Sequence, residues 1–212
     1  MKLSIYQVDA FTNKVFGGNP ACVIPLSKWI EDDILIKIAQ ENAVPETAFF
    51  IELENEFHLR WFTPEIEMDL CGHATLAAAF VIKNFLNYSQ NEIKFKTISG
   101  DLKVTISDNF FTLDFPSRDP LAVELPEIIK KAVSIIPVQT FKSRDFLLIY
   151  NKQSDIENIS VDPQVLNQLN LKTGGIIVSS KGDHSDFVSR FFAPKFGLGI
   201  NLNFDFGNLG LP

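Results

Sequence analysis

A glutamate at the start of a predicted strand is the first candidate for chemistry in this sequence. Glu46 opens the run Glu46-Thr47-Ala48-Phe49-Phe50, and the two-residue period of a strand puts its side chain on the same face as Ala48 and Phe50. Apolar neighbours disfavour the charged form of a carboxyl group, which suits it to taking and returning a proton near neutral pH. The alternative is a solvated glutamate at the mouth of a strand, with no chemical role.

The second candidate is the run Asp69-Leu70-Cys71-Gly72-His73, which leads into a helix predicted over residues 73–86. The first N–H groups of a helix lack internal partners, and the helix dipole favours negative charge there. Gly72 would let a substrate carboxylate approach the backbone closely. The same dipole disfavours a charged imidazolium at His73, which would then serve as a neutral donor or proton relay. The alternative is a helix cap followed by a structural histidine.

The cysteines and the other histidines are weaker candidates. Cys71 lies at the predicted helix start, where a thiolate is stabilised, but a thiol-based racemase needs a second thiol across the substrate. The only other cysteine, Cys22, is on an early strand, so a buried structural role for Cys71 is favoured. His58 and His184 are expected to be solvated. No group of histidines, cysteines and carboxylates has zinc-binding spacing, so we expect no metal site.

The elements that must position these residues are short strands around a few helices. The segment 73–86 carries no charge before Lys83 and is apolar or small on every side, which predicts a helix enclosed by strands, as inside a barrel. Amphipathic spacing predicts a surface helix over residues 29–42. Strands are predicted at residues 3–11, 21–26, 46–53, 57–63, 92–97, 102–107, 110–115, 138–142, 146–151, 175–180 and 186–192. This irregular order predicts an α+β protein, and no GxGxxG or GxxxxGK[ST] motif is present.

Composition and charge argue against some classes of function, and the prolines indicate where the domains divide. The net charge of −7 over 212 residues argues against a general nucleic-acid binder, and no apolar run is long enough for a transmembrane helix. The first residues read as a strand and not as a signal peptide, and two cysteines are too few for a disulfide framework, so we predict a cytoplasmic protein. Three prolines in residues 116–126 suggest a boundary between a lobe at 1–117 and a second lobe at 118–212.

Several blocks together resemble the PhzF-like phenazine-biosynthesis family through about residue 197. They are Val8-Asp9-Ala10-Phe11-Thr12, Phe16-Gly17-Gly18-Asn19-Pro20-Ala21, Glu46-Thr47-Ala48-Phe49-Phe50, Arg60-Trp61-Phe62-Thr63-Pro64, Met68-Asp69-Leu70-Cys71-Gly72-His73-Ala74-Thr75-Leu76-Ala77 and Ser189-Arg190-Phe191-Phe192-Ala193-Pro194. The resemblance implies a diaminopimelate-epimerase-like fold of two lobes, each a β-barrel around a central helix.

The resemblance also implies a chemistry. It implies an isomerisation without a cofactor or metal, in which a glutamate moves a proton on a small carboxylic acid such as the dihydro-hydroxyanthranilate of the namesake enzyme. Carried over residue by residue, the catalytic role falls on Glu46, and substrate binding falls on Gly72 and His73.

Two departures from the family pattern stand out. Pro45 occupies a position that is commonly serine, and residues 196–212 replace the family's Asp-Pro-x-Thr-Gly-Ser-Ala-His motif and second central helix. The second lobe is therefore expected to be incomplete and to lack the family's second-lobe Asp and Ser. We expect its exposed core to be covered by a second copy, giving a homodimer, or by rearranged packing. Besides the isomerase, a catalytically impaired relative that acts as a binding protein and a Cys-dependent epimerase stay open as alternatives.

Overall fold

A computed structural model of the chain describes residues 1–12, 14, 17–108, 110–169 and 174–192, and the backbone of 202–204. The chain divides into two compact units, Met1–Pro116 and Ser117–Pro212. Each unit contains one sheet together with helices, so the predicted mixed α+β class is confirmed. No helix in the described ranges is long and apolar enough to cross a membrane.

The first unit is an eight-stranded sheet with one long helix on each face. Its elements are β1 (Tyr6–Ala10), β2 (Asn19–Leu26), α1 (Asp32–Asn42), β3 (Glu46–Glu52), β4 (Phe57–Phe62), β5 (Glu67–Met68), α2 (Gly72–Phe85), β6 (Glu92–Thr97), β7 (Gly100–Ser107) and β8 (Phe110–Asp114). The strands run in the order β1-β2-β3-β4-β6-β7-β8, with β5 paired to β4. Strands β2 and β3 are parallel, and α1 connects them.

Helix α2 lies in the curve of this sheet. It packs against β2 and β3 and also against β1 and β8, which are the two ends of the strand order. Ala74, Ala77 and Ala78 are completely or almost completely buried, since their small side chains let the strands approach the helix axis. The prediction of a closed barrel is wrong in one respect. Strands β1 and β8 are not paired in the described part, the sheet is a half-barrel, and Phe80 on α2 is 38% exposed.

Helix α1 covers the opposite face of the same sheet and delivers the chain to β3. Leu35 and Ala39 are fully buried in a cluster that includes Phe49. The helix ends at Ala43, whose φ of 52° is left-handed, and the Ala43 N–H donates to the Ala39 carbonyl. This reversal brings the chain into β3 within a few residues, so Glu46 starts the strand as the sequence predicted.

The second unit is a six-stranded sheet with short helices. Its elements are β9 (Leu121–Ala122), α3 (Glu127–Ala132), β10 (Gln139–Lys142), β11 (Phe146–Ile149), α4 (Gln153–Asn158), α5 (Pro163–Leu166), β12 (Ile176–Ser180), β13 (Val188–Phe192) and β14 (Leu202–Phe204). The order is β14-β13-β12-β11-β10-β9, and the core includes Ile129, Leu148 and Val178. The expected loss of a second central helix concerns residues 193–212, which lie outside the described residues except for the backbone of β14.

Candidate active site

Glu46 faces α2 from the first position of β3. It stands opposite Ala21 of β2 in the strand register, and alternation along β3 places Ala48 and Phe50 on its face. Phe49 points the other way, into the cluster under α1. Only 8% of Glu46 is exposed. The alternative of a solvated glutamate is therefore wrong, and its catalytic role stays a prediction.

His73 meets Glu46 from the first turn of α2. The distance between His73 Nε2 and Glu46 Oε2 is 3.1 Å, and His73 is 3% exposed. Although the two atoms are this close, neither makes a well-aligned hydrogen bond within the described structure. A carboxylate and an imidazole in this relation are near enough to exchange a proton, and each keeps the capacity to bond to a third group. The structure thus brings together two of the three predicted site residues.

Cys71 contacts the other ring nitrogen of His73. Its Sγ atom lies 3.5 Å from His73 Nδ1, and the residue is buried at the N-cap of α2. If Nε2–H points at the Glu46 carboxylate, Nδ1 is the unprotonated nitrogen and accepts from the thiol. The Cys71 side chain makes no cap hydrogen bond to the helix backbone, so the first N–H groups of α2 are not capped by this side chain.

Gly72 is the first residue of α2, between Cys71 and His73. A Cβ atom placed on Gly72 would meet only Phe115 Cε2, at an ordinary contact distance of 3.6 Å. Packing therefore does not require glycine here, and the missing side chain leaves space over the helix start. The loop before the helix is held by Ser99, whose hydroxyl donates to the Asp69 carbonyl at 2.6 Å.

Asn19 is a buried polar residue that the sequence reasoning missed. It is 2% exposed, and neither its amide nitrogen nor its amide oxygen has a hydrogen-bond partner in the described structure. Asn19 and Ala21 share one face of β2, and Ala21 is opposite Glu46, so Asn19 and Glu46 face the same side at the same end of the sheet. Buried amides without partners are rare in native proteins, so the Asn19 side chain is a candidate for contact with a bound molecule.

A sequence signal for Asn19 did exist, in the turn Gly17-Gly18-Asn19-Pro20. Gly18 has a φ of +69°, and a Cβ there would lie 2.1 Å from the Ala10 carbonyl oxygen, so only glycine fits. A turn built this tightly fixes the direction in which the next residue enters the strand. The polar amide of Asn19, directly after this turn and in an otherwise apolar strand, is the sequence feature that indicates a role other than packing.

The weaker candidates lie elsewhere. His58 accepts a hydrogen bond at Nδ1 from Trp29 Nε1 at 3.0 Å, and burial, followed by the charge of Arg60, lowers the pKa of His58. It is therefore partly buried and structural, which corrects the expectation of a solvated side chain. His184 is exposed as expected. Cys22 is buried on the face of β2 opposite to Ala21, and burial raises the pKa of its thiol.

Comparison with known proteins places the chain among isomerase relatives. A family model described as phenazine biosynthesis-like protein, PhzC-PhzF, matches residues 8–199. An uncharacterized isomerase of Pseudomonas aeruginosa is 38% identical over 198 residues, which cover 93% of this chain and 76% of that protein.

Solved structures give the same picture for the fold. A crystal structure of a PhzF-family phenazine biosynthesis protein from Enterococcus faecalis matches 95% of this chain and 77% of its own, with a TM-score of 0.86 and 38% identity. A probable proline racemase from Agrobacterium radiobacter matches 90% and 70%, with a TM-score of 0.56 and 6% identity, and shows the fold alone. The predicted epimerase-like α+β fold is confirmed at this level, with two sheets of which one is a half-barrel.

Proposed function

Because this chain belongs to the phenazine biosynthesis-like (PhzC-PhzF) family, whose similar members include proteins named isomerases, we propose that it isomerises a small carboxylic acid by moving a proton. Glu46 is the acid–base group. The observation that carries the proposal is the buried approach of Glu46 Oε2 to His73 Nε2 at 3.1 Å, with neither atom hydrogen-bonded elsewhere in the described structure.

The proposed reaction needs no oxidant or reductant. The Glu46 carboxylate takes a proton from a C–H bond of the substrate, and the electrons of that bond are held as an enolate or extended conjugated anion. The glutamic acid so formed then returns the proton to a different carbon, which forms the new C–H bond. The imidazole of His73 lies beside Oε2 of Glu46 and stabilises this residue both as the carboxylate and as the carboxylic acid. A positioned group of this kind contributes about 10²–10⁴-fold in rate.

The substrate carboxylate is expected at the start of α2. The backbone N–H groups there are not capped by the Cys71 side chain, and Gly72 leaves space above them. The Asn19 amide supplies one donor and one acceptor for a further polar group, such as an amine or hydroxyl on the substrate. Together these groups support an amino or hydroxy acid of small size, with dihydro-hydroxyanthranilate as the prototype that the resemblance suggests.

Solvent-deuterium uptake tests this proposal. The purified protein in D₂O would be offered a panel of dihydro-hydroxyanthranilate-like, amino and hydroxy acids, with nuclear magnetic resonance used to detect carbon-bound deuterium. We expect uptake from at least one acid, loss of that uptake in Glu46→Gln, and full uptake in the control Glu41→Gln, which changes an exposed carboxylate on α1. Uptake in neither wild type nor control, from folded protein, would favour the inactive binding relative.

A Cys-dependent epimerase is the second candidate, favoured by the 3.5 Å contact between Cys71 Sγ and His73 Nδ1. Two-thiol chemistry would need Cys22, the chain's only other cysteine, but it lies on the far face of β2. We therefore expect Cys71→Ala to retain deuterium uptake. Abolition of uptake in Cys71→Ala, with Glu46→Gln still active, would reverse the assignment.

We also propose that the protein is a homodimer in solution. The opening of the half-barrel between β1 and β8 is a cavity of about 740 Å³, lined by Val8, Asp9, Ala10, Phe11, Thr12, Lys14, Leu76, Ala77, Phe80, Phe110 and Phe111. Phe110 is 77% exposed, and clustered apolar side chains of this kind are typical of subunit interfaces. Light scattering should give twice the protomer mass of 23.9 kDa. A uniform monomer that binds no apolar dye would contradict the proposal.

A further inference from the structure

Three side chains of different ligand type converge at the start of α2. Glu46, Cys71 and His73 each offer one ligand atom, and these atoms all lie within 4.8 Å of one another. All three residues are buried. The sequence predicted no metal site, because positions 46, 71 and 73 match no zinc spacing. The cluster exists only because the sheet carries Glu46 to the helix that bears the other two residues.

The separations are close to those that a tetrahedral cation requires. Zinc binds nitrogen at about 2.0–2.1 Å, carboxylate oxygen at about 2.0–2.2 Å and thiolate sulfur at about 2.3 Å, so neighbouring ligand atoms stand about 3.3–3.6 Å apart. Glu46 Oε2 and His73 Nε2 are 3.1 Å apart, and the three-atom set spans at most 4.8 Å. Coordination of one ion requires side-chain rotation, because Cys71 Sγ lies 3.5 Å from Nδ1 of His73 whereas Glu46 Oε2 faces Nε2.

The charges of the cluster also suit a divalent ion. A Cys71 thiolate and a Glu46 carboxylate together balance a charge of +2, while neutral His73 supplies the third donor. The amino-terminal end of the 14-residue helix α2 opposes a bare cation, but it stabilises the thiolate that binds one. Sulfur and imidazole ligands select zinc-like ions over magnesium and calcium. Burial keeps water from competing for the ligands.

We propose that Glu46, Cys71 and His73 form a three-ligand binding site for a soft divalent cation of the zinc class, with a fourth coordination position open. The ion would occupy the carboxylate that moves the proton, so zinc would inhibit the isomerase and compete with its substrate. This inhibition rests on the proposed function, whereas binding of the ion does not.

Cobalt provides a direct readout of binding, because Co²⁺ binds at zinc sites and its absorption spectrum depends on its ligands. Titration of metal-free, reduced protein with Co²⁺ should produce a near-ultraviolet thiolate-to-cobalt band and visible bands of tetrahedral intensity, saturating at one ion per chain. Zn²⁺ should abolish these bands and Mg²⁺ should not.

Variants identify the ligands. Cys71→Ala and Cys71→Ser should both lose the thiolate band, and the control Cys22→Ala should keep it, since Cys22 lies on the other face of β2. Losing a second-shell partner commonly costs 10–100-fold in metal affinity. Glu46→Gln and His73→Ala remove direct ligands and should therefore weaken Co²⁺ binding by at least about tenfold.

Two results would overturn the proposal: no thiolate band in folded wild-type protein, or a band that survives in folded Cys71→Ser. The inhibition is checked separately, by adding Zn²⁺ to the deuterium-uptake assay at the concentration that saturates binding. Binding without any measurable uptake would leave the metal site standing and count against the isomerase. Uptake that continues with the site saturated would remove the inhibitory role alone.

Discussion

Replacing Gly72 with alanine separates the two reasons for which a protein keeps a glycine. The first is packing, and here the structure supplies a number. The added Cβ would meet only Phe115 Cε2, at 3.6 Å, and Gly72 does not adopt a positive φ. Alanine is also a better helix former than glycine by up to about 1 kcal/mol. The fold should therefore accept Gly72→Ala with its free energy of unfolding unchanged or raised by as much as about 1 kcal/mol.

The second reason is access to the backbone. The proposed substrate carboxylate approaches the N–H groups at the start of α2 across the space that the new methyl group would occupy. A hydrogen bond to a charged group contributes about 1.5–3 kcal/mol. Losing one such bond should lower kcat/KM for deuterium uptake by about 10- to 150-fold. Most of this loss should appear in KM, because the carboxylate is held equally before and during proton transfer.

Two measurements on the same preparation distinguish packing from backbone access as the reason for glycine at position 72. Urea denaturation gives the free energy of unfolding of Gly72→Ala and wild type, and the uptake assay gives kcat and KM with the identified acid. Stable protein with a raised KM is the expected result. A Gly72→Ala protein with unchanged KM would refute the placement of the carboxylate, and a strongly destabilised one would refute the packing argument.

Three further predictions concern stability. Because the pKa of His58 is lowered in the folded protein, the unfolded chain binds a proton at a higher pH than the folded chain does. The free energy of unfolding should therefore fall as the pH drops below about 6.5. In urea titrations at several pH values, His58→Gln should show a weaker dependence of this free energy on pH. Ala78→Leu should cost about 1–3 kcal/mol by overpacking fully buried α2, measured by thermal unfolding. Arg60→Met should cost about 2–3 kcal/mol in urea, because it leaves Glu67, held by two charged hydrogen bonds, without that partner.

Local patterns were sufficient to predict the elements that carry the site. The apolar, alanine-rich segment predicted α2 to within one residue at each end, and the predicted start of β3 at Glu46 is confirmed. Strand β1 is shorter than predicted, beginning at Tyr6. In the register of β1 with β2, Ser4 would stand opposite Pro25, which has no N–H group to donate to a neighbouring strand.

Contacts between distant segments could not be predicted in the same way. Periodicity shows which face Glu46 occupies, but not that this face meets His73, because their contact depends on how the sheet curves around α2. The cluster of Glu46 with Cys71 and His73 could not be predicted for the same reason. The apolar helix was not sufficient to predict a closed barrel. Such a helix is equally compatible with a half-barrel whose opening exposes Phe80.

The most direct test of the central claim, that the Glu46 carboxylate carries the proton, is chemical rescue. Glu46→Ala removes the carboxyl group and leaves room for a small one, so deuterium uptake by this variant would be measured with increasing formate. We predict a loss of about 10²–10⁴-fold without formate and a partial, saturable recovery with it. Uptake by Glu46→Ala at the wild-type rate, with or without formate, would contradict the account.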